Sequence, residues 1–250
     1  MTYFSSQPQP ATQELFRQLS NLIGERHPDQ LALLKLKRSA ERVKNADPEG
    51  AFTLCGGIAS LEWDVDMMHR QHRAALNCGG NSALALSNYS VSLAHLGLVS
   101  EAADRALEAS EREKGDSFFL RNAIVMLMSA GRWQHASNLA DEYARLGQDD
   151  LPPEARVAME IASLANLHNL SDNDSALLMN TFFRILHDAR VPVSGRLAFN
   201  ADSSEGISVQ CLINATPKET ASFNEAFADQ AFEISGKAAA LTTCFFRCSN

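Results

Sequence analysis

The sequence predicts a mostly α-helical chain with a small α+β part: an array of α-helical hairpins followed by a C-terminal β-β-α-β module. Apolar residues recur at helical spacing from about residue 10 to about residue 189. A segment of 25 residues within this region repeats 34 residues later with eight identities, where composition alone would give roughly one or two. Beyond about residue 196 the apolar residues alternate instead, which indicates β-strands.

The N-terminal part predicts two helical hairpins after a short tail. Residues 1–10 are polar and contain proline, which is typical of a flexible tail. Apolar stripes predict helices over 10–25 and 29–44, separated by a break that contains proline. The next pair of predicted helices covers 51–64 and 65–77.

The two hairpins that match each other cover residues 84–147. Each one turns at a glycine, Gly97 or Gly131, and glycine enters the left-handed backbone conformation of a tight turn without strain. Identities on both sides of each glycine include a shared asparagine, Asn88 in the first hairpin and Asn122 in the second. The predicted helices are 84–96 and 99–111 in the first hairpin, and 118–130 and 133–146 in the second.

These hairpins resemble the tetratricopeptide repeat family. Its unit has a small residue at position 8, glycine near position 15 and alanine at position 20, and Ala102 and Ala136 take position 20 when Gly97 and Gly131 take position 15. The 51–77 hairpin fits as a degenerate unit, because Trp63 stands at its turn position. The resemblance covers about residues 50–147 and implies a stacked, solenoid-like array.

The remaining helices and strands complete two predicted domains, a helical repeat domain over 11–190 and a small α+β domain over 191–250. Helices over 153–167 and 174–189 lack the repeat signature and are expected to cap the array. Thr216 and Glu219 form a capping-box pattern that predicts the start of a helix. In the second domain the predicted strands are 196–200, 207–214 and 241–247, and the predicted helix is 217–234.

Composition restricts the kinds of partner and compartment. The formal net charge is -8, which disfavours nucleic acid as the main partner. No run approaches the roughly 18 apolar residues of a membrane span, so no membrane partner is expected. The five cysteines are scattered and odd in number, and no signal-peptide pattern is present, so a reducing, cytoplasmic location is expected.

No motif predicts catalysis, a metal or a cofactor. His69 and His72 lie three residues apart on one helix, a spacing that suits a metal, but further ligands do not fall on the same stripe. Cys244 and Cys248 lie on one face of a predicted strand, where buried free thiols are the simpler interpretation. We therefore expect no enzyme activity, no metal and no cofactor.

The resemblance to tetratricopeptide repeats implies a concave groove lined by the first helix of each hairpin. Asn88 and Asn122 fall where the family often hydrogen-bonds a bound peptide backbone, since an amide both donates and accepts. Arg121 is suited to a bidentate pair with a carboxylate of the ligand. The alternative for the two asparagines is that they bridge helices within the stack. The groove residues are Ser87, Asn88, Val91, His95, Arg121, Asn122, Val125 and Met128.

Three functional hypotheses follow from this sequence. The favoured one is a non-catalytic adaptor whose groove binds a peptide or helix of another protein, with a homodimer through the edge of the C-terminal sheet as a second contact. An antitoxin or immunity-type neutralising protein, or a peptide-sensing regulator, is the alternative within the binding class. The alternative in another class is an enzyme whose site lies in the C-terminal module. The polar residues available for such a site are Asp202, Glu205, Lys218, Glu219 and Arg247.

Overall fold

A computed structural model describes residues 10–78, 82–147, 150–193 and 197–249. It confirms the predicted fold class: over these residues eleven helices form a helical array with a small three-stranded sheet near the C-terminus. Apart from residue 10, the predicted tail lies outside the described residues. The elements are α1 Pro10–Ser20, α2 Gln30–Val43, α3 Pro48–Leu61, α4 Val65–Cys78, α5 Ala83–His95, α6 Val99–Arg112, α7 Ser117–Ser129, α8 Trp133–Arg145, α9 Pro153–Leu167, α10 Asp172–Asp188, β1 Leu197–Asp202, β2 Gly206–Ile213, α11 Pro217–Leu241 and β3 Thr242–Cys248.

The helices from α3 to α9 are stacked in two layers. One layer contains α3, α5, α7 and α9 side by side, and α4, α6 and α8 pack against it from the other side. The central helix α5 is enclosed by its neighbours. All of its residues are buried except Leu84 and Ala94, which are half-buried. The array therefore has its tightest packing where the two matching hairpins meet.

The turns of three consecutive hairpins form a regular row. Trp63, Gly97 and Gly131 lie 34 residues apart, and their φ angles are 60°, 77° and 73°. This is the left-handed conformation that glycine adopts most readily. The row confirms the turns predicted at the two glycines and shows that Trp63 adopts the same conformation in the degenerate unit.

Helix α10 runs along this row of turns and does not pair with α9 as a hairpin. At one end, the Ser175 hydroxyl donates to the Gly131 carbonyl at 2.5 Å. At the other end, His187 Nδ1 donates to the Leu96 carbonyl at 2.7 Å, and its ring packs against Trp63. The two helices expected to cap the array thus take different courses, since α9 continues the stack on α7 and α8 while α10 leaves it.

Helix α10 also supplies a cap that α8 lacks in its own sequence. The residue before α8, Arg132, makes no side-chain capping bond. The Asp172 carboxylate accepts hydrogen bonds from the N–H groups of Gln134 and His135 at 2.8 and 3.2 Å. A carboxylate at a helix N-terminus satisfies free N–H groups and complements the helix dipole, so α10 and α8 stabilise each other.

The C-terminal residues form the predicted β-β-α-β module. The strand order is β1-β2-β3, with β1 antiparallel and β3 parallel to β2. Alternate residues of β2 face the core, and the Phe246 ring of β3 stacks on Phe182 of α10 with centroids 4.0 Å apart. One continuous apolar cluster extends from Leu15 of α1 to Phe246, so the module packs on the helical array.

Two details of this module differ from or extend the prediction. Helix α11 reaches Leu241 instead of residue 234. Its backbone departs from helical geometry at Ser235, and a further helical segment then begins, because the Ser235 hydroxyl accepts a hydrogen bond from the Ala238 N–H and so caps that segment. The outer edge of β3 is covered by Asn224, whose side-chain amide accepts from the Phe246 N–H at 2.7 Å and donates to the Phe246 carbonyl at 3.1 Å. Among the described residues, β1 has no strand partner other than β2.

No described helix is both long enough and apolar enough to cross a bilayer.

The approach of α10 to the turns predicts a large effect of Gly131→Ala. A Cβ at Gly131 would lie 2.5 Å from the Ser175 carbonyl oxygen, whereas a Cβ at Gly147, which has a φ of 69°, would meet nothing within 4 Å. The left-handed conformation alone costs about 1 kcal/mol for alanine, and the steric clash adds about 1–3 kcal/mol. In urea denaturation, Gly147→Ala should therefore lower the free energy of unfolding by about 1 kcal/mol and Gly131→Ala by about 3 kcal/mol. Equal losses would contradict a close contact between α10 and this turn.

Candidate functional site

The groove residues predicted on α5 lie inside the protein. Ser87, Asn88, Val91 and His95 are all buried, as is Met128 on α7. The structure thus brings the predicted set together on two adjacent helices, but a ligand at the surface would not reach these five side chains. The accessible members of the set are Arg121, Asn122 and Val125.

Asn122 bridges helices within the stack. Its side-chain Nδ2 donates to the hydroxyls of Ser87 and Ser90 on α5, at 3.1 Å each. For Asn122 this is the alternative interpretation, in which the asparagine bridges helices within the stack. The Asn122 side chain remains half-buried, so one side of it still borders solvent.

Arg121 pairs with a carboxylate of the next helix in the layer. Its Nη2 and Nε atoms lie 2.6 and 2.7 Å from Glu154 Oε1 of α9. The Arg121 side chain is 49% exposed, whereas that of Glu154 is 17% exposed. A pair this accessible contributes little to stability, and the guanidinium can exchange one carboxylate for another.

One further residue extends this exposed stripe. Phe118 lies three positions before Arg121 on α7, and 38% of its surface is exposed. Phe118, Arg121, Asn122 and Val125 follow the i, i+3, i+4, i+7 spacing of one helix face; we call these four residues the α7 surface. Sequence analysis missed Phe118, although an aromatic residue in the first turn of the same stripe was a usable signal.

The histidines considered as metal ligands serve packing. His72 is buried, its ring stacks on Tyr89 with centroids 4.6 Å apart, and a Cβ at Gly56 would lie 2.6 Å from that ring. His72 Nε2 lies 2.9 Å from the Ser92 hydroxyl, which itself donates to the Asn88 carbonyl. Nε2 therefore carries the proton, and Nδ1 keeps a lone pair without a partner among the described residues.

The environments of these histidines differ in their polar contacts. His69 Nδ1 lies 2.5 Å from the Tyr89 hydroxyl oxygen. His95 is buried against Trp63, and its Nδ1 also lacks a partner among the described residues. Burial lowers the pKa of His72 to about 3 and that of His95 to about 4. Over the described residues, no group of three potential metal ligands converges.

The cysteines and the polar residues of the C-terminal module do not form a reactive cluster in the described structure. Burial raises the pKa of Cys211 and Cys244 to about 12, so both thiols remain protonated at neutral pH. Asp202 accepts hydrogen bonds from Ser204 and from the Glu205 N–H in the turn before β2. Lys218 and Glu219 lie beyond the opposite end of β2, so that strand separates the two groups.

Arg247, the last of these polar residues, is exposed on the outer face of β3, opposite Leu212. Glu219 is held by its capping box: the Thr216 N–H, the Arg26 guanidinium and the Thr216 hydroxyl donate to its carboxylate and lower its pKa to about 2. Arg26 and Glu219 line an open depression of about 620 Å³ together with Glu25, His27, Asn214, Ala215 and Thr216. Of its charged groups, Arg26 and Glu219 pair with each other at 2.8 Å.

Comparison with known proteins adds no relative: no family model, no curated protein and no solved structure matches this chain.

The two buried histidines predict a loss of stability at mildly acidic pH. In the unfolded chain a histidine takes up a proton near pH 6.5, whereas His72 and His95 in the folded protein do so only near pH 3 and 4. The stabilising contribution is complete above pH 6.5 and is lost as pH falls toward 4, at up to ~1.4 kcal/mol per pH unit for each histidine. Urea denaturation at a series of pH values between 7.5 and 5 measures this slope.

A histidine variant distinguishes the contribution of the buried histidines to this pH dependence from that of other titrating groups. His95→Gln removes one titrating ring and should reduce the slope by up to ~1.4 kcal/mol per pH unit, whatever its effect on stability at pH 7.5. The matched control is His168→Gln, because His168 is exposed at the end of α9. An unchanged slope in the His95 variant would contradict the assignment.

Proposed function

We propose that this protein is a non-catalytic, cytoplasmic interaction protein that binds a peptide or helix of another protein along the α7 surface. The stack of α-helical hairpins supports a binding role, because such arrays present the faces of consecutive helices as one extended surface. The single observation that carries the proposal is the exposed stripe that contains Phe118 and Arg121.

The chemistry of this stripe suits a peptide or helix with an apolar and an acidic residue. Phe118 offers an aromatic anchor, and aromatic and arginine residues often dominate binding energy at interfaces. Among the described residues the exposed Arg121 guanidinium pairs only with Glu154, and it can exchange this weak surface partner for an incoming carboxylate. Val125 extends the apolar contact by one helical turn.

The enclosed part of the groove has a supporting role in this proposal. Ser87 and Ser90 of α5 hold the Asn122 amide through hydrogen bonds, which fixes the orientation of α7 relative to α5. The proposed binding surface is therefore one helix wide and shorter than the full groove predicted from the repeat pattern. A second copy of the chain at the sheet edge, the other suggested contact, would have to pair with β1, because Asn224 covers β3.

Site-specific photo-crosslinking in the native host tests the binding surface. Benzoylphenylalanine at position 118 preserves the aromatic ring of Phe118 and should yield one dominant crosslinked protein, because that side chain is the aromatic anchor of the proposed contact. The control position is Ala144, which is exposed on α8 in the outer layer. Crosslinked species are separated by mass and identified by mass spectrometry.

The result must depend on Arg121 to support the proposal. Arg121→Glu is introduced into the protein that carries benzoylphenylalanine at position 118. The new carboxylate lies beside Glu154 and repels an acidic ligand, so the crosslinked product should decrease at least about tenfold. Arg132→Glu is the matched variant, since Arg132 pairs with Asp104 away from this stripe. Equal crosslinking from positions 118 and 144, or a product insensitive to Arg121→Glu, would show that another surface binds the partner.

A further inference from the structure

Two exposed helix faces outside the α7 surface carry opposite charges around apolar side chains. On α2, Leu31 and Leu34 are 58% and 44% exposed. Lys35, Arg38 and Arg42 continue the same face and are also exposed. We call these five residues the α2 face.

The positive charges of the α2 face have no counterpart within the described structure. The neighbouring Lys37 pairs with Glu62, and Lys44 pairs with Glu41. By contrast, no ion pair involving Lys35, Arg38 or Arg42 occurs among the described residues. The chain as a whole has a formal net charge of -8. The α2 face is therefore unusual in this protein, because it places three cations without an ion pair in the described structure beside two exposed leucines.

The complementary surface lies on α11. Phe232 is 70% exposed, and the small side chain of Ala228 precedes it by one turn on the same side of the helix. Glu225, Asp229 and Glu233 follow one another at four-residue spacing and are exposed. No ion pair of these three carboxylates occurs within the described ranges. We call these five residues the α11 face.

We propose that the α2 face of one copy of this chain binds the α11 face of a second copy. Three cations would oppose three carboxylates over about two turns of helix on each side, and the two leucines would contact Phe232. Exposed apolar side chains that are ringed by charges mark interaction surfaces more often than isolated ones do. Complementary charge favours pairing of an α2 face with an α11 face. Two α2 faces or two α11 faces would repel each other, because they carry like charges.

This contact is independent of the proposed peptide-binding role. The α7 surface is on a different helix, and neither face includes any of its four residues. Association between copies would create an assembly that displays several α7 surfaces, so that a partner with repeated motifs would bind with enhanced avidity.

Sedimentation of the full-length chain by analytical ultracentrifugation tests the proposal. At about 100 µM protein and low ionic strength, the wild-type chain should sediment as a dimer or a larger species, and added salt should dissociate it because salt screens exposed charge pairs. Lys35→Glu, Arg38→Glu and Arg42→Glu together should weaken association at least about tenfold. Glu225→Lys, Asp229→Lys and Glu233→Lys together should have the same effect.

The decisive measurement is a mixture of the two triple variants. Each variant opposes like charges when it meets itself, whereas an equimolar mixture opposes unlike charges at every contact, so association should return. A variant with Glu101→Lys, Glu111→Lys and Glu113→Lys controls for the change in net charge of the α11 variant, which is the same, since those exposed residues lie on or beside α6. That control should still associate.

Circular dichroism of each variant checks that it is folded. All substituted side chains are exposed. If the Lys35→Glu, Arg38→Glu and Arg42→Glu variant does not fold, Lys35→Gln, Arg38→Gln and Arg42→Gln together remove the same positive charges without adding negative ones. A wild-type chain that remains monomeric under these conditions overturns the proposal. Association that persists in both triple variants, as expected for pairing through β1, also overturns it, as does a mixture that stays monomeric.

Discussion

The contact between α10 and the row of hairpin turns organises this molecule. A stack of helical hairpins exposes its turns along one edge, and here a single helix crosses that edge from Gly131 to Gly97. The contact uses backbone atoms on both sides, since the carbonyl oxygens of Ser175 and Phe183 lie 2.5 and 2.9 Å from where a Cβ would stand at Gly131 and Gly97, respectively. Glycine at these turns therefore meets two requirements at once, a positive φ and the absence of a side chain.

This contact also explains why the C-terminal module is part of the same body. The face of α10 opposite the turns packs on α11 and β3, with Phe182 touching Phe227 and Phe246. Residues separated by 45 and 64 positions thus share one core. The row of turns, α10 and the sheet form successive layers, and each layer depends on the one before it for a surface on which to pack.

The 34-residue repetition predicted the hairpins and the turns at Gly97 and Gly131, and the capping box predicted the first residue of α11. The course of α10 was beyond sequence reasoning. Its apolar residues cover so much of the helix circumference that they predict burial without indicating which neighbour covers which side. The trans cap from Asp172 to α8 is invisible for a similar reason, because the residues it joins are 37 and 38 positions apart.

The polar residues of α5 account for the difference between the predicted groove and the observed one. Serine, asparagine and histidine suggest a solvent-facing helix, yet this helix is the most enclosed of the array. Local hydrogen bonds make that burial tolerable, as when Ser90 and Ser92 donate to the carbonyls of Ser87 and Asn88. Hydrogen-bonded serines are compact enough for neighbouring helices to approach closely, so polarity at these positions reflects tight packing instead of exposure.

The position of α10 in the chain has a consequence for synthesis on the ribosome. Each hairpin closes contacts over about one repeat length, so the hairpins can form as they emerge, since local contacts form early. Their turn edge stays uncovered until the residues from Asp172 onward have left the exit tunnel. During that interval the nascent chain displays Leu96, Trp63 and the backbone of both glycine turns to solvent.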